Sequence, residues 1–175
     1  MRKNSRKIVI AALLAAMVTA ATYVIKIPFV GGYINFGDIL VIISGWIAGP
    51  VYGALAAAIG SALCDVMAGY VAYVPATFII KGLVAVTAFY GYRKIRNIFG
   101  MIFSAFVGEV LMVAGYFLFE ALFMGLGWGA LVSVPYNCIQ GSVSFVGAAV
   151  LFCAISKNKY LKNEAEVLKK VDKVN

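Results

Sequence analysis

Between Ile39 and Cys64 the chain runs for 26 residues without a charged side chain. Few soluble domains tolerate such a run, because charged residues make up about a quarter of an ordinary globular sequence and keep its apolar stretches short. The stretch is also longer than the ~20 residues that one helix needs to cross a hydrocarbon core. It is interrupted by Gly49-Pro50, a pair that closes one helix and opens another. Ile8–Ile25 is a second uncharged run, ending at Lys26 and Pro28. With 63% of the 175 residues hydrophobic and only 13% charged, the fold class is an all-α integral membrane protein.

The pattern predicts six transmembrane helices, over about 8–26, 38–49, 51–70, 75–92, 98–125 and 130–156. They form one membrane domain, 1–156, followed by a basic tail, 157–175. Pro28 to Asp38, rich in turn-formers and aromatics, reads as an ordered loop. The segment 38–49 is short for a span, and charge decides its assignment. Of the 15 Lys and Arg, four lie in residues 1–7, three in 93–97 and six in 157–175. Six crossings gather these groups on one side, which the positive-inside rule makes the cytoplasm, so both termini are expected there. A basic start with small residues near Ala20 also fits a signal-peptide template, but cleavage would move the new terminus outside. The net charge of +8 therefore reports orientation in a cell membrane and not nucleic-acid binding.

Several chemistries are excluded. There is no His, and Cys64, Cys138 and Cys153 sit inside apolar stretches at no ligand-like spacing. No metal site and no cofactor is expected. No Gly-x-x-x-x-Gly-Lys-Ser/Thr motif occurs, so ATP-driven work requires a partner. A catalytic apparatus is also absent: there is no paired Asp motif and no Ser nucleophile with a base, and the chain reads as a non-enzyme.

Ionisable groups within the spans ask for a partner or a cavity. Asp65, Lys81 and Glu120 fall at a common depth, roughly 7–10 Å from the outer surface at 1.5 Å per residue. Asn137 and Gln140 on the last helix lie slightly deeper, with Tyr116, Tyr136 and Thr77 close by. This layer predicts a polar pocket open to the outside, closed by the loop 33–38 with its Asn35 and Asp38, for a small polar molecule. The competing reading is an internal Lys81–Glu120 or Lys81–Asp65 ion pair that fixes helix packing alone. Glu109 is deeper and reads as a packing group bonded to Ser104 or another small polar residue. On the first helix Ala12, Ala16 and Ala20 recur every four residues, a stripe that lets another helix approach closely, inside this bundle or on a partner.

The segments Gly-Gly-Tyr-Ile-Asn-Phe-Gly-Asp (31–38), Gly-Pro-Val-Tyr-Gly (49–53), Ile-Gly-Ser-Ala-Leu-Cys-Asp (59–65), Gly-Tyr-Val-Ala-Tyr-Val-Pro-Ala-Thr (69–77) and Ile-Lys-Gly-Leu (80–83) resemble the substrate-binding S components of energy-coupling factor (ECF) vitamin transporters. The most similar subgroup includes the riboflavin, pyridoxine and hydroxymethylpyrimidine S components. The resemblance implies capture of a vitamin from outside, association with a transmembrane coupling subunit and two ATPases, and a tilt that releases the load inward. It also implies that an Ala-x-x-x-Ala face, here Ala12, Ala16 and Ala20, contacts the coupling subunit. A pyridoxine- or hydroxymethylpyrimidine-like ligand comes first and riboflavin second. Lys81 would then meet an acidic or hydroxyl group, Asn137, Gln140 and Glu120 would read ring heteroatoms, and Tyr33, Phe36, Tyr116 and Tyr136 would stack. The alternatives are a small polytopic membrane enzyme and a non-transporting membrane assembly subunit.

Overall fold

The structure, a computed structural model, describes residues 3–29, 32–95 and 97–157. The tail expected over 157–175 lies, from residue 158 onward, outside the described residues. Helix α1 (Lys3–Val24) leads into an antiparallel hairpin of β1 (Lys26–Phe29) and β2 (Gly32–Asn35). Next come α2 (Gly37–Ala68), α3 (Val74–Ile95), α4 (Ile98–Leu118) and α5 (Val134–Lys157).

Two expectations about local structure are corrected. The segment after α1 is a paired hairpin and not a loop: Ile27 faces Ile34 and Pro28 faces Tyr33, and such β-branched and aromatic residues suit a short ladder. The helix expected over 98–125 is regular only to Leu118 and widens into a π turn over Phe119–Phe123. The start expected at 130 is a 3₁₀ turn, Gly127–Val132, that precedes α5. Gly125 and Gly127 have positive φ of 73° and 52°, which carries the chain from one helix to the next.

Within α2, Gly49 has φ 82° and ψ −174°, a conformation open essentially to glycine alone. Ser44 Oγ donates to the carbonyl of Gly53 at 2.9 Å. In a straight helix nine residues span about 13.5 Å, so the segments 37–48 and 50–68 lie folded back against each other. Pro50 follows the reversal, where its missing N–H is harmless.

Among the described residues five helical segments are long and apolar enough to cross a membrane: Ser5–Val24, Gly37–Ala68, Val71–Ile95, Ile98–Phe123 and Gly127–Ile155. The distribution of polarity is that of a protein in lipid. Phe123 and Trp128 are 81% and 82% exposed, while Asp38, Lys81 and Glu109 are at most 3% exposed. A water-soluble fold buries the first kind and exposes the second.

Small residues bring the helices together. Trp46 Nε1 donates to the carbonyl of Ala88, pinning α2 to α3. One turn away, a Cβ added to Gly45 would lie 2.2 Å from the carbonyl oxygen of Ala85. On α1, Thr19 Oγ1 donates to the carbonyl of Gly60 at 2.8 Å, and a Cβ at Gly60 would stand 2.5 Å from the Ala15 carbonyl. Gly45→Ala should therefore force α2 and α3 apart and destabilise the protein by roughly 1–3 kcal/mol, the scale of overpacking. Gly82→Ala, whose new methyl would meet the Ala58 Cβ at an ordinary 3.6 Å, is the matched control. Melting of the detergent-solubilised proteins measures the difference, and equal melting temperatures would show that the α2–α3 seam has slack.

Candidate ligand-binding site

One end of the bundle gathers most of the polar side chains the sequence singles out. It is the end where α1, α2 and α4 finish, where α3 and α5 begin, and where the hairpin lies across them. A cavity of about 50 Å³ opens there. Asn35 comes from β2, Asp65 from the end of α2, Thr77 and Lys81 from the start of α3, Tyr116 from the end of α4, Glu120 from the π turn after it, and Asn137 and Gln140 from the start of α5.

Lys81 and Asp38 form the centre of this polar cluster. The Lys81 ammonium lies 2.6 Å from Asp38 Oδ1 and 2.7 Å from Oδ2, with both side chains fully enclosed. Gln140 Nε2 donates to Asp38 Oδ2 at 2.6 Å. The carbonyl oxygen of the same amide accepts from the backbone N–H of Asn35 at 2.9 Å and from its Nδ2 at 3.3 Å. Asn35 Oδ1 in turn accepts from the backbone N–H of Gly37, one of the orphan donors of the first turn of α2. Four elements, α3, α2, α5 and β2, are thereby joined through Lys81, Asp38, Gln140 and Asn35. The ion pairs considered from the sequence, Lys81–Glu120 and Lys81–Asp65, are both corrected: Asp38 is the partner, because the hairpin lowers the start of α2 into the bundle.

The other two carboxylates are held by neutral donors. Tyr33 Oη donates to Asp65 Oδ1 at 2.6 Å, while Asp65 Oδ2 has no partner. Burial, together with the neighbouring Asp65 carboxylate, pushes the Tyr33 phenol well above its ordinary pKa, so it remains a donor at any physiological pH. Glu120 accepts from Ser133 Oγ at 2.5 Å and from Tyr73 Oη at 3.3 Å. Thr77 and Tyr116 share a hydrogen bond of 3.0 Å.

Some expected residues stand elsewhere. Tyr136 is 36% exposed, Phe36 is half-buried, and neither lines the cavity. Asp38 acts from behind the wall through Lys81 and Gln140. Glu109 is not bonded to Ser104, whose hydroxyl donates to the Met101 carbonyl instead. Both Glu109 oxygens lack a partner, and a Cβ at Gly141 would meet the Glu109 Cβ at 3.0 Å, so this glycine makes room for the carboxyl. Glu109 borders a larger apolar cleft of about 430 Å³ between α4 and α5. Phe106, Val110 and Leu131 in its wall are about half exposed on the outer surface, the position of lipid. The sequence reading misses Thr22, Gly32, Ser61, Tyr70 and Tyr73, which line the cavity, and Ser133, which donates to Glu120 behind it. The two tyrosines lie within the 69–77 segment, just before α3, and Ser133 is one turn before Asn137.

Ala12, Ala16 and Ala20 are exposed, whereas Leu14 and Val18 are buried and Ala15 packs on Gly60. The stripe therefore faces away from the bundle. Among the described residues no group of His, Cys, Asp and Glu side chains could hold a metal ion.

Fold and site together define a helical membrane protein with a small polar cavity at one end of its bundle. The chain belongs to the family of S components of ECF-type riboflavin transporters, whose sequence model matches residues 2–157. It is 33% identical over 129 residues to an uncharacterized protein of Pyrococcus woesei encoded in a gap 3′ region, covering 73% of this chain and 85% of that one. Its fold is similar to that of the S component of a bacterial ECF transporter, with a TM-score of 0.71 at 18% identity over 89% of this chain and 98% of the other. The S component for biotin from an ECF-type ABC transporter is similar at a TM-score of 0.52, again with 18% identity, over 86% and 94% of the two chains.

The buried pair makes a sharp stability prediction. Lys81→Met strands the Asp38 carboxylate and should lower the melting temperature of the ligand-free protein by several degrees, corresponding to about 3–5 kcal/mol. The double variant Lys81→Met/Asp38→Leu should recover part of the loss, since neither charge is then left alone. Thermal unfolding in detergent compares the three proteins; an unchanged melting temperature for Lys81→Met would show the pair to be dispensable for folding.

Proposed function

We propose that this chain is the substrate-binding subunit of an ECF-type importer, capturing a small vitamin or vitamin precursor at the outer face of the cell membrane. It hands the molecule inward with a transmembrane coupling subunit and two ATPase subunits. Family membership supports the general role, and the observation that carries the ligand class is the cavity itself. A space of about 50 Å³ holds roughly four waters, and the liquid volume these occupy is on the order of 120 Å³. That suits one substituted heteroaromatic ring better than a three-ring flavin. A pyridoxine- or hydroxymethylpyrimidine-like compound is accordingly the first ligand, with riboflavin, named by the family, the second. Glu120, Asp65, Asn137 and Gln140 supply hydrogen-bonding groups, and Tyr116 supplies an aromatic face. Lys81 is engaged by Asp38, which leaves it a supporting role rather than the capture of an acidic group.

The membrane arrangement is six crossings within a single domain, residues 1–156, with 37–48 and 50–68 counted separately and both termini cytoplasmic. The basic segments 1–7, 93–97 and 157–175 then share the inner side, and the cavity opens outward. The outward-facing stripe Ala12, Ala16 and Ala20 supports docking of the coupling subunit on α1.

Purified in detergent, the wild-type chain should bind a single-ring vitamin in calorimetry, and mass spectrometry of the preparation should find such a molecule co-purifying. Ala16→Leu should leave that binding within about twofold while reducing uptake by cells that carry the full transporter, since the stripe lies outside the cavity. Loss of binding together with uptake would place Ala16 in the fold rather than at the partner.

Orientation is tested with single cysteines in a background lacking Cys64, Cys138 and Cys153. A membrane-impermeant thiol reagent applied to intact cells should label a cysteine at Ala72, which is exposed between α2 and α3, and spare one at Asn97. Labelling at Asn97 from outside would invert the arrangement.

A further inference from the structure

The cleft of about 430 Å³ between α4 and α5 is separate from the polar cavity at the bundle end, and no residue lines both. Its volume falls in the range of ~300–1,000 Å³ typical of small-molecule sites, whose walls are mostly apolar with a few polar groups that fix the guest. The wall follows that pattern: Val113 and Phe117 of α4 face Val134 and Phe145 of α5, and Phe106 meets Phe145 edge to face at a centroid distance of 5.8 Å. Because Phe106, Val110 and Leu131 are about half exposed on the outer surface, the cleft opens to hydrocarbon. A guest therefore reaches it from the bilayer and not from water.

Glu109 is the group that an apolar space does not explain. It stands midway between Ile98 and Leu118, roughly 15 Å from either end of α4 at 1.5 Å per residue, near the middle of the hydrocarbon. It is 3% exposed, and neither carboxyl oxygen has a hydrogen-bond partner among the described residues. A Cβ on Gly141, in the facing wall, would lie 3.2 Å from Glu109 Oε2, so the carboxyl rests against α5 where the two helices bound the cleft. Lys81 and Asp38, the charged groups whose fields reach it, are bonded to each other. A buried polar group without a partner is expensive, and a lone charge in the bilayer more so. As the acid, the carboxyl presents one O–H donor and an acceptor oxygen.

We infer that the α4–α5 cleft is a second binding site, for a membrane-dissolved alcohol: a molecule with an apolar body and one hydroxyl that meets Glu109. A hydroxyl both donates and accepts, so a single group satisfies the O–H and the acceptor oxygen of the acid together. The apolar body fills the rest of the wall, where the side-chain heteroatoms besides those of Glu109 are the Ser142 hydroxyl and the Cys138 thiol. A phospholipid does not match, because its ester and head groups stay at the interface, roughly 15 Å from this depth. The site goes beyond vitamin capture and draws on none of the residues that line the polar cavity.

Photolabelling of the full-length chain in lipid nanodiscs tests it, with a medium-chain alcohol that carries a diazirine at the far end of its chain. Peptide mass spectrometry should place the label on the cleft wall, at Val113 and Phe145, in preference to Leu13 and Met17, whose exposure on α1 makes them reporters of bulk lipid. An excess of the unlabelled alcohol should compete about tenfold better than its methyl ether, which accepts a hydrogen bond but cannot donate one. That preference should persist in Glu109→Gln, which keeps a donor and an acceptor, and vanish in Glu109→Met, which keeps neither. Ala114→Phe, on the exposed part of the wall, should abolish cleft labelling by filling the space, and serves as a second variant if Glu109→Met folds poorly. Equal competition by alcohol and ether in the wild type, or label spread evenly over α1 and the cleft, would overturn the inference. Neither result bears on the vitamin-binding role.

Discussion

The Lys81–Asp38 pair is the interaction on which the rest of the arrangement depends. Two unlike charges removed from water at 2.6 Å stabilise each other only when their remaining hydrogen-bonding capacity is met. Gln140 meets it for Asp38, and the second half of that amide then reaches the hairpin through Asn35. A chain of hydrogen bonds thus ties the hairpin, α2, α3 and α5 together at the end of the bundle where the cavity opens. The charge on Lys81 is thereby matched within the bundle, beside the cavity that Asp65 and Glu120 also line.

Elsewhere the bundle has little polar adhesive and relies on close backbone contact. In lipid, large apolar side chains gain nothing by leaving the hydrocarbon, so helices associate where small residues allow them to touch. Gly45 against Ala85 and Gly60 against Ala15 are contacts of this kind. Helix α1 carries two such faces a quarter turn apart, and the bundle covers one of them. The open one is lined by the alanines that the sequence pattern had already set apart.

Much of the site was legible because depth in a membrane helix follows from counting: at 1.5 Å per residue Asp65, Lys81 and Glu120 had to share a level. The fold class was legible from the uncharged runs. Which carboxylate holds Lys81 was not, because the segment before α2 reads as a loop in the sequence, and only its pairing as a hairpin fixes where Asp38 enters the bundle. Tyr136 was misjudged for an avoidable reason. Ser133, Asn137, Gln140 and Ser144 are all buried, at spacings of four, three and four, and position 136 stands off this polar seam, about 70° from its centre around the helix. The same periodicity would have revealed Ser133. Tyr70 and Tyr73 sit in a short turn between helices, where no periodicity points inward.

The reversal at Gly49 also governs how this region can change over evolutionary time. The arm 37–48 is anchored at one end by a turn that glycine alone adopts comfortably and at the other by Asp38 facing Lys81. Exchanges among Ile, Leu and Val along the arm alter little of that relation. Deleting or inserting one residue rotates Asp38 by about 100° relative to the turn and displaces it by about 1.5 Å, which aims its carboxylate away from the ammonium. For this arm residue count constrains the fold more tightly than residue identity, and the tolerated record of variation should be rich in substitutions and empty of indels.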